Sequence, residues 1–395
     1  MKRKSFVSVF LAVFILFVFS GCEKQRGNLQ YDRAFIKPIK KARQELFLYM
    51  VCNQVPGCAV AVSIDGKTVW EEGLGLASKE LNAPVTLETK FRVGSVSKLF
   101  TSLVYYMLIE KGGINGDSLV SGYFPEFASK KYPVRLKNLA SETSGIRQPL
   151  LKERKRNLLN VTIANGLNLF KNDSLLFEPG AYEYPSPYNY NLLGAIIEKN
   201  EGKDFKKIVK AMLLDTLQME NTVPDFPAAI IKNRSDFYDR DFISRLINAP
   251  SVGRFYLLPS EGYLSTPGDI LKLGNALLMS EYFSDSLKSM IYKPFTLNNG
   301  NETTKANGWG IFKSRYDQSI IYLFAGGTLG GSTHLIIHPK TKMVIAISAN
   351  LNDEIDPLPS WKIWKFFDDN INGRDKHEDK EKGNKKGADK KEKGE

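Results

Sequence analysis

At 395 residues, with 43% hydrophobic and 11% aromatic content, the chain can bury a large core, which excludes a disordered or fibrous protein and points to one enzyme-sized unit. Lys and Arg (55) outnumber Asp and Glu (43), a net charge of +12 that falls to about +7 once a leader of +3 and a tail of +2 are set aside. This bias has no clustered basic run and no interleaved aromatics, so nucleic-acid binding is not expected.

Residues 1–22 read as an export signal. Lys2, Arg3 and Lys4 give the positive start, Phe6 to Phe19 the apolar segment, and Ser20-Gly21 the small residues before Cys22. Small residues directly before a cysteine predict a bacterial lipoprotein signal, with Cys22 as the lipidated first residue and the body outside the cytoplasm at the cell envelope. A polar linker, 23–32, precedes the main domain, 33–372. The segment 373–395 alternates Lys with Asp and Glu and holds almost no apolar residues, so it cannot offset its ordering entropy by burial and is expected to be disordered.

Ala34 to Val51 reads as a helix. Cys58 to Ile64, then Asp65-Gly66, then Lys67 to Trp70 read as a strand, tight turn and strand. Export makes a Cys52–Cys58 disulfide one reading, and two buried thiols the other. The sequence leaves both open, because it does not supply the approach of the Cα atoms that a bridge needs.

The stretch Phe91-Arg92-Val93-Gly94-Ser95-Val96-Ser97-Lys98-Leu99-Phe100-Thr101 sets a hydroxyl and an amine one helical turn apart. Val96, Leu99, Phe100, Leu103, Val104, Met107 and Leu108 repeat at the spacing of one buried helical stripe, which Gly112 and Gly113 stop. Residues three apart on a helix share a face, so the Lys98 amine is within reach of the Ser95 oxygen. A serine hydroxyl needs a neighbouring base, and a lysine among apolar side chains is a candidate because desolvation lowers its pKa. Ser95 is thus read as nucleophile and Lys98 as its base.

From about 105 to 245 the pattern is mostly helical, including Asn191 to Asn200 and Phe205 to Leu217. Thr266-Pro267-Gly268-Asp269 starts a further helix with a capping residue and a first-turn proline. From Gly308 the pattern turns to strands: Trp309 to Phe312, Ile320 to Phe324, Thr333 to Ile337 and Met343 to Ser348. Trp361 to Phe367 closes the domain as a helix. Short turns imply antiparallel neighbours. Strands from both chain ends, separated by helices, predict an α+β fold, an antiparallel sheet covered by helices plus an all-helical subdomain. His334 and His338 lie on one face of a strand with no clustered carboxylate or cysteine, so no metal site and no cofactor is expected.

The Ser95 segment resembles the active-site segment of the serine β-lactamase and penicillin-binding-protein superfamily, in particular its class C and β-lactamase-like (LACTB-type) serine hydrolase branch. The resemblance implies a β-lactamase/transpeptidase-like fold and a second site segment with a tyrosine. Pro179-Gly180-Ala181-Tyr182-Glu183-Tyr184-Pro185-Ser186 followed by Tyr190-Asn191-Leu192-Leu193-Gly194 is similar to that segment. It makes Tyr184 the proton relay, with Ser186 in place of a substrate-binding asparagine and Tyr188 as runner-up. The spacing to Tyr190 is one residue longer than the family pattern.

Phe324-Ala325-Gly326-Gly327-Thr328-Leu329-Gly330-Gly331 resembles the third segment, His-x-Gly-Gly-x-x-Gly on the strand lining the site. By that resemblance the N–H groups of Ser95 and Gly327 form the oxyanion hole and Gly326 lies beside them. Phe324 stands where a polar residue belongs, so recognition of a substrate carboxylate is weakened. Glu142 takes a position often held by histidine, and Glu261 one usually held by a small residue.

The expected function is that of an exported serine hydrolase, lipid-anchored through Cys22, forming an acyl-enzyme on Ser95. Its substrate is an amide or ester: a cell-wall peptide (D-alanyl-D-alanine carboxypeptidase action), a small peptide, a simple ester or a β-lactam. The alternative is a non-catalytic binding or scaffold lipoprotein of the envelope that keeps this fold.

Overall fold

The run Met343–Ala349 is apolar at six of its seven positions and buried along its whole length. An antiparallel strand with one wet face would alternate, so a continuous apolar run calls for cover on both sides. Val344 and Ala346 face one apolar layer, while Met343, Ile345, Ile347 and Ala349 face another. The computed structural model describes residues 28–154, 162–251, 253, 255–279, 281–352 and 357–374. The export signal, Cys22 and nearly all of the charged tail lie outside the described residues.

In chain order the principal elements begin with β1 (Leu29–Tyr31), α1 (Ile36–Cys52), β2 (Gly57–Ile64), β3 (Lys67–Ser78), β4 (Ala83–Pro84) and β5 (Phe91–Arg92). A 3-10 turn, Gly94–Val96, then leads into α2 (Ser97–Glu110). The middle of the chain carries α3 (Leu136–Ala140), α4 (Pro187–Glu201), α5 (Phe205–Val209) and short strands β6 (Val223–Pro224), β7 (Tyr238–Arg240), β8 (Leu246–Asn248) and β9 (Tyr263–Ser265). After α6 (Pro267–Met279) and α7 (Asp285–Tyr292) come β10 (Lys305–Ala306), β11 (Trp309–Lys313), β12 (Ile320–Thr328), β13 (Gly331–His338), β14 (Met343–Ala349) and α8 (Ser360–Ile371).

Strands from both chain ends form one antiparallel sheet in the order β1-β3-β2-β14-β13-β12-β11-β10, with β4 against β3. The β2–β3 hairpin turns at Asp65-Gly66, both at positive φ (49° and 74°), as a two-residue turn matched to strand twist requires. Helices α1 and α8 cover one face through Leu46, Tyr49, Ile363 and Phe367. The helical region covers the other, with α2 at its centre. A small sheet, β5-β9-β6, lies where the two layers meet and carries the chain into the α2 turn.

The α+β architecture agrees with the sequence reading, and the differences are local. β12 runs on through Ala325 to Thr328, because the ladder with β13 (Ala325↔His334 to Thr328↔Gly331) outweighs the low strand propensity of two glycines. The middle region holds β6 to β8 as well as helices. Cys52 and Cys58 are free thiols: Cys52 ends α1 exposed, whereas Cys58 points into the core with Sγ 3.5 Å from Met50 Sδ. The disulfide reading is thereby corrected, and so in part is the reading of two buried thiols, since Cys52 is exposed; burial pushes the Cys58 thiol up to about 12.

Candidate active site

Ser95 sits in the 3-10 turn just ahead of α2, and two strands hold that turn by backbone contact. β9 brackets it: Val93 N–H donates to the Tyr263 carbonyl (3.2 Å), and Tyr263 N–H donates to Ser97 Oγ (3.2 Å). β12 presses on it. Gly94 has φ +53°, and a Cβ there would meet Gly327 C at 2.8 Å and Gly327 N at 3.0 Å. A Cβ on Gly326 would meet Val93 O at 2.4 Å and Ser95 N at 2.9 Å. Glycine is needed on both backbones so that they can touch, and the touch puts the Ser95 and Gly327 amides on neighbouring main chains. β11 pairs with β12 only over Ile320–Leu323, so among the described residues the glycine stretch has no partner strand on that edge.

Arg92 fixes the same corner from behind. Its Nε donates to Asp225 Oδ2 at 2.7 Å, its Nη1 donates to the Leu329 carbonyl at 2.9 Å, and its guanidinium lies 3.9 Å over the Phe237 ring. The strand leading to Ser95 is thus tied to the β12–β13 hairpin through one buried side chain.

Lys98 is buried, as the α2 stripe predicts, but its partner is Glu142. Nζ donates to Glu142 Oε1 at 2.6 Å and stands 5.2 Å from the centre of the Tyr190 ring. Among the described residues no hydrogen bond joins it to Ser95. Glu142, 3% exposed and at φ +56°, is held on both sides by the tyrosine loop. Its Oε1 also accepts from Ser186 N–H (3.2 Å), and its carbonyl accepts from Tyr184 N–H (2.8 Å). The sequence marks Glu142 only as a departure from the family pattern. Its pairing with Lys98 depends on a fold-back that spacing along the chain does not encode.

The loop places its tyrosines differently from one another. Tyr184 is 37% exposed, edge-on to Phe177, and among the described residues its hydroxyl has no hydrogen bond to Ser95 or Lys98. Its backbone is nevertheless bonded to Glu142, which puts it beside the ion pair. Tyr188 is buried, stacked on Phe170 at 4.2 Å, and donates to Glu153 Oε2 at 3.0 Å. Burial and the Glu153 charge both push its phenol up from the ordinary value, so it does not suit proton relay. Ser186 is also turned inward. It caps α4 by accepting from Tyr188 N–H (3.3 Å) and donates to the Arg147 carbonyl (2.7 Å), so the hydroxyl faces the fold and not a substrate.

A cleft of about 560 Å³ opens beside Gly326 and Gly327, lined further by Thr328, Tyr256, Leu257 and Glu261. Glu261 Oε2 accepts from Thr328 Oγ1 at 3.3 Å, so the acid the sequence flags does reach the cleft wall. Phe324 does not plug this space. It is 1% exposed, packs edge-to-face on Trp309 at 5.2 Å and covers Gly308, filling the polar position of the family pattern with hydrocarbon. The two strand histidines are hydrogen-bonded within the fold, His334 Nδ1 with Ser360 Oγ and His338 with Ser319, Thr341 and Trp364; His334 also lines the cleft.

Residues 42–365 match the family described as Beta-lactamase. The human serine beta-lactamase-like protein LACTB, mitochondrial, is 28% identical, over 78% of this chain and 73% of its own. Protein flp of Staphylococcus aureus is 25% identical, over 77% and 61%. Among solved structures, a class C beta-lactamase superposes with a TM-score of 0.70 at 21% identity, covering 85% of this chain and 98% of its own. The octameric penicillin-binding protein homologue from Pyrococcus abyssi gives 0.71 at 22%, covering 82% and 75%. With the Ser95 turn, the Lys98 helix and the glycine strand brought together in this fold, and a family match over most of its length, the chain belongs to the serine beta-lactamase-like hydrolase family.

Proposed function

We propose that the chain is an acyl hydrolase working through an acyl-enzyme on Ser95. The observation that carries this reading is the contact of Gly94 and Ser95 with Gly326 and Gly327, which brings the Ser95 and Gly327 main chains together next to a cleft that the two strand glycines line. A carbonyl seated there has its developing oxyanion held by the Ser95 and Gly327 N–H groups while Ser95 Oγ attacks. Lys98 takes the serine proton, the leaving group departs protonated by way of Lys98 or Tyr184 at the rim, and water then releases the acyl group.

The substrate is an amide or ester that is neutral or positively charged near β12. Phe324 offers nothing to a carboxylate, and Glu261 and Asp239 on the cleft wall repel one. A β-lactam, or a peptide ending in a free carboxylate, therefore fits less well than an ester or an internal amide. A structural neighbour is described as a D-stereospecific amidohydrolase, so amide cleavage on this scaffold has a precedent. We place the enzyme at the cell envelope, tethered by a lipid on Cys22.

The test is labelling with a fluorophosphonate and a fluorescent penicillin, on the native chain and on Ser95→Ala. We expect the fluorophosphonate to label the native chain, the penicillin to label it weakly, and Ser95→Ala to take neither. A native chain inert to both reagents would leave the non-catalytic binding protein as the reading.

A further inference from the structure

We infer that Glu142 is the terminal proton acceptor of the acylation step, with Lys98 as the shuttle between it and Ser95. The inference rests on the acyl-hydrolase reading above and adds a residue to it. Three observations carry it. The Lys98 Nζ to Glu142 Oε1 contact is 2.6 Å, within a charge-assisted hydrogen bond, and both side chains are buried. Among the described residues the lysine makes no hydrogen bond to Ser95 and is held in a salt bridge with Glu142. Tyr184 is 37% exposed, and among the described residues its hydroxyl has no hydrogen bond to Ser95 or Lys98.

An ammonium cannot accept a proton, which sets the order of events. Lys98 first passes a proton along the 2.6 Å bond to Glu142, and as Ser95 Oγ bonds to the substrate carbonyl carbon its proton passes to the amine so freed. The hydroxyl loses one proton and the carboxylate gains one. Lysine begins and ends as an ammonium. When the tetrahedral intermediate collapses, the bond from carbon to the leaving atom breaks, and the proton returns through Lys98 to that atom. No net charge is created in the buried corner, since the new oxyanion appears as the carboxylate is neutralised.

The surroundings suit this role. Around Glu142 the facing groups are Lys98 from α2, the Tyr190 phenol from α4, and the Ser186 and Tyr184 N–H groups of the loop. Burial, then the Glu142 charge, push Tyr190 up from its ordinary phenol value, and its hydroxyl already donates to the Ala140 carbonyl (3.0 Å). That leaves Lys98 as the neighbour able to exchange a proton with the carboxylate. Ser186 N–H and the loop hold Oε1 in place while the charge changes.

The experiment is turnover of a neutral activated ester by the native chain, Glu142→Gln and Glu142→Asp, with circular dichroism melting to certify folding. We expect Glu142→Gln to lower kcat by about 100-fold or more with KM unchanged, the size of a lost proton-transfer catalyst. Proton inventory in mixed H₂O/D₂O should change from a curve, two protons in flight, to a line. Glu142→Asp should fall between them, and it decides the matter if Glu142→Gln does not fold. Unchanged kcat in the folded variants would reduce Glu142 to a packing partner. A rise in kcat would make the ion pair a lock on Lys98. Either result overturns the relay while leaving Ser95 chemistry intact, whereas failure of the native chain to turn over or label removes both together.

Discussion

The two sides of the Ser95 corner handle polarity in opposite ways. On the helical side, the charged groups nearest Ser95 are buried as a pair, Lys98 with Glu142, and a loop is stitched to them by backbone hydrogen bonds. On the sheet side, β12 offers main chain and hydrocarbon: Gly326 and Gly327 at the Ser95 turn, then Phe324 against Trp309. On the reading proposed above, the difference separates proton movement, on the helical side, from alignment of the acyl group by main chain, on the sheet side.

If the sheet wall is purely a packing surface, breaking it should cost stability first. Phe324→Ala removes a fully buried ring from between Trp309 and Gly308, and such truncations typically cost about 3–5 kcal/mol. Urea unfolding should show a lower midpoint with the slope unchanged, while fluorophosphonate still labels Ser95 in the protein that remains folded. A loss below about 1 kcal/mol would mean the ring is not the wall's anchor, and the contrast between the walls would weaken.

How much of this contrast is legible in the sequence follows from what is local. The α2 stripe, the hairpin at Asp65-Gly66 and the glycines of β12 are each set by neighbours a few residues away, so periodicity and turn chemistry find them. Phe324 is flagged as apolar by its place in the motif. Lys98 is a different case: the sequence correctly buries it but aims it at Ser95, whereas its bonded partner lies 44 residues on. Ser186 likewise reads as a site residue from the motif, but its hydroxyl is spent on a helix cap. Both concern where a side chain points once the tyrosine loop has folded back, and that depends on tertiary contacts that no short window contains.

The sheet side should also show the burial of its histidines in its response to acid. Burial holds His334 and His338 down at about 4, whereas an unfolded histidine titrates near 6.5. Between those values the unfolded chain binds protons that the folded chain refuses. Their contribution is therefore complete above about pH 6.5 and is lost as pH falls toward 4, at about 1–3 kcal/mol for each ring. Substituting His334→Gln, which can keep the bond to Ser360, should flatten the slope of stability against pH in that window. An identical slope would mean that the ring is wet, and that β13 is less well sealed than the packing around Ser360 indicates.

The smallest effect bears on the helical wall. Ser186 occupies a position that family resemblance assigns to substrate, and the structure gives its hydroxyl to the α4 N-terminus and the Arg147 carbonyl. These two roles predict different losses. A cap is worth about 1 kcal/mol, so Ser186→Ala should lower stability by that amount and leave KM for a neutral ester unchanged. A residue that binds substrate would do the reverse, raising KM with little change in the melting curve. Because Ser186 N–H, which the substitution keeps, is the group that supports Glu142, kcat should also hold. A fall in kcat alone would show that the cap, by fixing the start of α4, also fixes the carboxylate beside Lys98, and the helical wall would then act as one unit from helix end to ion pair.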